Sequence, residues 1–485
     1  MAYYLSKHLH EIATDHGTLL YHSKNGNNLV IHEGAVEVYQ MLKAGTSLEK
    51  IRQEVEGDQL QEFLEHLIHK HFLVEGQEPA PACKIPDEKY IKEGKMLEHL
   101  RLNVTENCNL RCSYCYERVS DVWNQKRVMD WDVAKKAIDS FLITIQKNQK
   151  KKVSVRFFGG EPLLNWNLIE KAMDYIKDHL PDDIQVNYII NTNGTLIDDL
   201  RAKFLAEHSI SVSLSVDGVR EIHDKFRIYP NGTGSFDVVD QNMNHLIRHK
   251  CKFNLSVVCT EQTLTRLTDF IDYISEKQKE SDYPIPVCFN FVQITEDEGK
   301  MSEEEKIHSL IKALKYADEK KVQSFGGLSH FVFEKLLHNS IGSYCGGSGS
   351  EFSVAPSGDI FPCSGLDIKL GNVDSFEKIF QSEIYKNLCQ RKSGNIIRCK
   401  DCEIECFCSG GCIADVVSKA DQSHGYFDGY TTNLTTRQEE KGQTYSDLPE
   451  QEKGTSIKQS DEKHPHPYCE MQKKLFRKLA EYYLL

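Results

Sequence analysis

At 485 residues the chain is long enough for two to four domains, and a hydrophobic fraction of 40% supplies real cores. A formal net charge of −13 argues against a nucleic-acid or general phosphate-binding surface, and the basic run KNQKKK (147–152) reads as the solvated end of a helix. MAYYLSKHLHEI lacks the apolar core of a signal peptide and no run of about 18 apolar residues could span a bilayer, so a cytoplasmic, non-membrane protein is expected, in which 16 cysteines point to metal or redox chemistry.

Residues 1–75 read as a small front module. TLLYH and NLVIH flank KNGN, whose Asn-Gly pair is a hairpin signal. Three helical stretches follow: one through VEVYQMLKA, one opening at Thr46 with Glu49 as a capping box allows, and one placing Leu60, Phe63, Leu64, Leu67 and Ile68 on one face. The pattern is winged-helix-like, although a generic small α+β domain fits it too. Glu62 and Glu65 on the third helix disfavour DNA binding.

Residues 76–95 form a linker broken by Pro79, Pro81 and Pro86. Strands and helices then alternate over 96–325. Candidate strands are 97–104, 153–158, 184–190, 210–216, 253–259 and 287–292, with amphipathic helices such as WDVAKKAIDSFLITI and NWNLIEKAMDYIKDHL between most of them. The expected fold class is α/β, a partial (β/α)6 TIM-like barrel with its chemistry at the C-terminal strand ends. Residues 326–485 form a Gly- and Cys-rich domain. Polar residues 426–467 read as a flexible insertion, and CEMQKKLFRKLAEYYLL reads as a closing amphipathic helix.

The stretch ENCNLRCSYCYE puts Cys108, Cys112 and Cys115 directly after the first of these strands. Three thiolates can hold a four-iron cluster by three irons and leave the fourth open. A structural zinc site would need four closed ligands, and no fourth Cys or His lies nearby. The Cx3CxφC arrangement, with Tyr114 as the aromatic, resembles the signature of the radical S-adenosylmethionine (SAM) superfamily. The resemblance implies that SAM binds the unique iron through its methionyl amine and carboxylate, and that one electron cleaves it to a 5′-deoxyadenosyl radical. Further segments match in order. GGEP (Gly159, Gly160, Glu161, Pro162) resembles the segment that receives the SAM amine. Asn191 opens NTNG at the same mouth. SLSVDG, with Ser213 and Ser215, resembles the family's SxDG segment, and Ser215 and Arg227 would contact SAM.

Further along stand Cys345, Cys363, Cys399-x2-Cys402-x5-Cys408-x3-Cys412 and Cys469. This seven-Cys pattern resembles the SPASM domain of radical SAM enzymes that modify peptides and proteins. By that resemblance Cys399, Cys402, Cys408 and Cys469 would bind one auxiliary four-iron cluster, and Cys345, Cys363 and Cys412 another, giving three clusters in all; zinc sites are the alternative. Two departures stand out. Glu351 occupies a position where many such domains have Cys, so the first auxiliary cluster has either a carboxylate ligand or an open iron, and an open iron could orient a substrate thiolate. Ser364 follows Cys363 where anaerobic sulfatase maturases carry an acidic base, with Asp367 close in sequence. Cys406 is additional to the pattern, and Cys83, Cys251, Cys259, Cys288 and Cys389 suit ordinary packing positions.

The front module resembles the precursor-recognition element of enzymes that mature ribosomally made peptides. There a leader peptide adds a strand to the small sheet and lies against the third helix. The expected partners are such a precursor peptide and a flavodoxin- or ferredoxin-type electron donor. The expected reaction is a thioether or carbon–carbon cross-link, with an auxiliary cluster accepting the second electron. Oxidation of a protein Cys or Ser side chain, as in sulfatase maturation, and a zinc-bearing peptide-binding scaffold are the alternatives.

Overall fold

In the computed structural model the described residues are 3–55, 57–78, 80, 82–120, 124–291, 300–325, 333, 335–337, 342–396, 399–416 and 467–484. The expected insertion at 426–467, apart from Pro467, lies outside them, as do Pro79, Pro81 and Val292.

The front module begins with β1 (Tyr3–Leu5), β2 (Leu9–Thr14), β3 (Gly17–His22) and β4 (Asn28–Ile31). β3 and β4 pair antiparallel across the Asn-Gly turn, and β2 adds on the other side of β3. Helices α1 (Glu33–Lys43), α2 (Leu48–Glu54) and α3 (Asp58–His69) follow. Leu60, Leu64 and Leu67 of α3 are buried, with Phe63 and Ile68 packed beside them, as the hydrophobic spacing requires. The cap of α2 is Ser47, whose side chain accepts from the Lys50 amide, rather than Thr46. β5 (Leu73–Glu75) returns to pair with β1. The linker is not wholly irregular: Asp87 caps a short helix, Glu88–Lys92.

The central sheet takes up β6 (His99–Thr105), β7 (Lys152–Gly159), β8 (Gln185–Thr192), β9 (Ser211–Ser215), β10 (Phe253–Cys259) and β11 (Val287–Phe291) in sequence order, all parallel. Each lies within two residues of its expected span. This order is what successive right-handed βα units produce. β12 (Ser324–Phe325) flanks β11. On the β6 side, β13 (Glu351–Val354) joins in parallel, followed by antiparallel β14 (Asp359–Phe361) and β15 (Gly371–Asn372). The result is an open array of ten strands, and the cysteine-rich segment shares its sheet.

Alternation divides the two faces. Leu100, Leu102, Val155, Phe157, Val212, Leu214, Leu255 and Val257 are buried in one core with helix residues such as Ile138, Phe141 and Ile169. The alternate residues Arg101, Arg156, Asn191, Ser213, Asn254, Ser256 and Asn290 give the other face a polar lining. Asn290 Nδ2 donates to Ser256 Oγ at 3.0 Å, and Asn254 Nδ2 to Ser213 Oγ at 3.5 Å. The KNQKKK run ends the Trp131–Lys147 helix, turns and enters β7. Lys150 pairs there with Glu98, and Lys151 with Asp183.

Candidate active site

The loop after β6 carries Cys108, Cys112 and Cys115 at the C-terminal ends of the parallel strands. Two segments hold it, one at the end of β7 and one at the end of the helix Arg220–Phe226. Gly160 N donates to Thr105 O at 2.9 Å, and Glu161 N to Asn107 O at 2.8 Å. A Cβ on Gly159 would stand 2.1 Å from Thr105 O, and one on Gly160 2.4 Å from Asn107 O. The glycine pair therefore admits the backbone of the cysteine loop. On the other side, Arg111 N donates to Ile228 O at 2.7 Å, and Ser113 N to Phe226 O at 3.2 Å.

Burial pushes Cys108 up to about 12 and Cys112 upward, and the neighbouring thiols add to it, Cys112 and Cys115 acting on Cys108 and Cys115 on Cys112. N–H donors reach the sulfurs: Leu110 N at 3.4 Å and Asn193 Nδ2 at 3.9 Å from Cys108 Sγ, and Arg227 Nη1 at 4.0 Å from Cys112 Sγ. Soft thiol donors with N–H groups aimed at them suit an iron–sulfur cluster, since such hydrogen bonds stabilise bound thiolate. Among the described residues, no three His, Cys, Asp or Glu side chains converge tightly enough to share one ion. Cluster ligands bind separate irons and have no such requirement.

The expected SAM contacts divide. Asn191 and Ser213 are cross-strand partners on the polar face, and Ser215 lies two residues nearer the mouth. Pro162 opens a 3-10 turn, and the Glu161 carboxylate turns away into the fold. It accepts from Thr192 Oγ1 and Asn193 N at 2.7 Å each and from Leu163 N at 3.1 Å, and burial raises its pKa to about 7. Arg227 pairs with Asp217, Nε to Oδ2 at 2.8 Å and Nη2 to Oδ1 at 3.2 Å, and its guanidinium lies 5.4 Å from the centre of the Tyr114 ring. The Tyr114 hydroxyl donates to the same Asp217. Thus Arg227, Asp217 and Tyr114 form one brace for the cysteine loop. Sequence reasoning missed Asp217, Asn193 and Asn109. All three sit inside or beside the strand-end motifs, and Asn193 Nδ2 donates to Asn109 Oδ1 at 2.9 Å.

Five of the other cysteines fall into two groups, Cys345 with Cys363 and Cys402 with Cys408 and Cys469. Cys345 and Cys363 flank Gly347, where a Cβ would lie 3.6 Å and 3.9 Å from their sulfurs. Burial above all, and Glu351 nearby, oppose the ionisation of both. Its Oε1 pairs with Arg101 Nη2 at 2.8 Å, while Arg101 Nη1 donates to Ser364 Oγ at 2.6 Å. Ser364 also meets the Tyr116 hydroxyl at 3.0 Å, and Asp367 accepts from Ser120. Cys402, Cys408 and Cys469 act electrostatically on one another. Cys399 lies one turn from Cys402, which donates its N–H to Cys399 O at 3.0 Å. Cys412 packs at the edge of the main core. Cys406 lies apart from these groups in role: its N–H donates to Ser23 O at 3.0 Å and its thiol faces His22 O at 3.5 Å, so it joins the front module to this loop.

Residues 102–274 match the radical SAM superfamily, and residues 345–403 match SPASM, an iron–sulfur cluster-binding domain. The radical SAM cyclopropyl synthase TigE of Paramaledivibacter caminithermalis is 24% identical over 440 residues, 86% of this chain and 90% of that protein. A cysteine-type anaerobic sulfatase-maturating enzyme of Clostridium novyi is 28% identical over 66% of this chain and 88% of its own length. An uncharacterized protein of Methanocaldococcus jannaschii is 31% identical over 60% of this chain and 94% of its own. The solved structure of native anSMEcpe with bound AdoMet superposes with a TM-score of 0.55 at 25% identity, covering 69% of this chain and 93% of that one.

Proposed function

We propose, from the premise that the chain belongs to the radical SAM superfamily and carries a SPASM domain, that it is a maturase of a small ribosomally made peptide. Its cofactors are SAM, the four-iron cluster that binds it, and auxiliary iron–sulfur clusters. When bound, the cluster and SAM supply one-electron, hydrogen-abstracting chemistry that side chains lack. In our reading Cys108, Cys112 and Cys115 hold that cluster. Gly159, Gly160, Tyr114 and Arg227 fix their loop, and Asn191, Ser213 and Ser215 line the mouth where SAM sits. Cys399, Cys402, Cys408 and Cys469 would hold one auxiliary cluster, and Cys345, Cys363 and Cys412 the other.

The single observation behind the peptide reading is the front module. Its sheet runs β2-β3-β4 with β4 at one end of the order, and the module is docked onto the cysteine-rich segment. A leader peptide adding a strand to this small sheet and lying against α3 would tether the peptide core to the enzyme. We read residues 1–75 as a winged-helix-like recognition unit, 96–325 as the radical-generating array and 326–485 as the auxiliary unit, and the product as a thioether or carbon–carbon cross-link. The second reading, side-chain oxidation of the sulfatase-maturase kind, draws on relatives of that name. Ser364 weighs against it, because it offers no carboxylate beside Cys363 and is engaged with Arg101 and Tyr116.

The test is anaerobic incubation of the reduced, reconstituted enzyme with SAM. Deoxyadenosine should form, and iron should approach about twelve atoms per chain. Cys115→Ala should abolish cleavage, whereas Cys402→Ala should retain cleavage and lose peptide product. A preparation that leaves SAM intact overturns the reading.

A further inference from the structure

We infer that Arg156, with Asn191 beside it, forms a carboxylate-binding subsite on the polar face of the sheet, between the cysteine loop and the Cys345–Cys363 group. The inference rests on the peptide-modifying reading above, and it concerns a group for which the catalytic assignment gives no role.

Arg156 on β7 is the direct cross-strand partner of Arg101 on β6, and Arg101 is in turn the partner of Ser353 on β13. Two guanidinium groups are therefore held side by side, flanked by Val155 and Phe157 that point the other way into the core. Their charges are met unequally. Arg101 has the Glu351 carboxylate at 2.8 Å and Ser364 Oγ at 2.6 Å. Arg156 donates to the neutral Asn191 Oδ1 at 3.3 Å, and among the described residues no carboxylate stands within ion-pair distance of it. Burial first, and then the neighbouring Arg101, weaken its hold on its proton, with Glu351 and Tyr116 opposing. A partly buried cation with only a neutral amide as partner is costly to keep, and the cost is recovered when an anion arrives.

Position and shape indicate which anion. Arg156 lies three residues before Gly159, so roughly 10 Å below the strand ends at about 3.3 Å per residue. From that depth its side chain reaches up to Asn191, one residue before the end of β8, and across the sheet it is level with Arg101 and then with Ser353 of β13. A planar guanidinium offers two parallel N–H groups, the geometry a carboxylate accepts best. The surrounding Asn and Ser side chains are neutral, and Glu351, the carboxylate that acts on Arg156 from nearby, is paired with Arg101. An Asp or Glu side chain, or the C-terminus, of a peptide laid along this face would be held there. The methionyl carboxylate of SAM is the other source of the same chemistry.

The experiment uses the reconstituted full-length enzyme and its Arg156→Gln and Arg156→Lys variants. Calorimetry measures the binding of SAM, of acetyl-Gly-Asp-Gly-amide and of acetyl-Gly-Asn-Gly-amide, with iron content and circular dichroism as checks on folding. The wild type should bind the aspartyl peptide about tenfold more tightly than the asparaginyl one, the scale of a charged hydrogen-bonded contact. Arg156→Gln should erase that preference and Arg156→Lys should keep part of it. If SAM affinity instead falls about tenfold in Arg156→Gln while the two peptides bind alike, the subsite stands and its carboxylate belongs to SAM. If neither SAM affinity nor peptide preference depends on Arg156, the inference is overturned. Deoxyadenosine formation by the wild type is scored separately, so a failure of the enzymatic reading is not mistaken for a failure of this one.

Discussion

Lys24, in the hairpin turn of the front module, and Glu405, in the loop bearing Cys402 and Cys408, form a buried ion pair with Nζ and Oε2 2.6 Å apart. Their side chains are 11% and 1% exposed. Glu405 also accepts from Gly394 N at 2.9 Å and Asp401 N at 3.1 Å, and Tyr21 packs edge-on against Phe476 with centroids 5.2 Å apart. The module is thus a structural support of the cysteine loop. Lys24→Met would leave a buried carboxylate without its cation, at a cost of about 3 kcal/mol, the low end for broken buried pairs because the backbone donors remain. Chemical denaturation should show that loss, with less iron retained on reconstitution. Wild-type stability and iron content in the variant would mean that the module is not docked in this way.

The same turn carries an acid sensitivity. His22 Nδ1 accepts from Lys24 N at 3.2 Å and Asn25 N at 3.3 Å, and Nε2 meets Ser6 Oγ at 3.1 Å. Burial, with His8 close by, lowers its pKa from 6.5 to about 4. The unfolded chain therefore takes up the proton first as pH falls. Stability from this group is complete above about 6.5 and declines as pH drops toward about 4. His8 and His10 shift in the same direction, so the slope is shared. Denaturation midpoints across this window should fall with acid in the wild type and fall less steeply in His22→Gln. An unchanged slope in the variant would remove His22 from the account.

Gly160 should be intolerant of even one methyl group. Its added Cβ would meet Asn107 O at 2.4 Å and Glu106 O at 2.8 Å, both backbone atoms of the cysteine loop that have no rotamer to yield. Gly160→Ala should lose deoxyadenosine formation by about a hundredfold or more, since a small displacement of a reacting centre has that effect. Gly34→Ala, where nothing lies within 4 Å, should be neutral or slightly stabilising. Equal activity of the two variants would show that the GGEP backbone does not set the loop.

The parts of this fold that could be read from sequence are those whose signal is local. Phe253–Cys259 alternates apolar and polar residues as far as Val257, and its expected and observed spans coincide, while the cysteine spacings name their own loops. Long-range choices left little trace. β1 and β5 are three residues each and meet across nearly the whole module, and four-residue β13 joins the large sheet although it follows a change in composition. Thr46 and Ser47 are both acceptable caps, and helix geometry selected the second. The bracing of Arg227 by Asp217 depends on two segments ten residues apart folding onto Cys112, which no single motif encodes.

Glu351 is the position at which the two expectations for the first auxiliary cluster, a carboxylate ligand or an open iron, can be separated. Its Oε1 pairs with Arg101 at 2.8 Å, and both side chains are nearly enclosed, at 12% and 14% exposure. A carboxylate already matched by a guanidinium gives up that pairing if it ligates iron, and the bond would leave Arg101 a buried cation without its counterion. The paired state is therefore expected to persist, with Glu351 standing beside the cluster and off the iron. Glu351→Gln should then keep the full complement of about twelve irons, because no bond to iron is lost with the carboxylate. Glu351→Cys, with its thiolate supplied at the position of a ligand, should change the electron paramagnetic resonance spectrum of that auxiliary cluster while leaving SAM cleavage intact. Loss of about four irons in Glu351→Gln would instead establish the carboxylate as a ligand, and Arg101 as the residue that releases it.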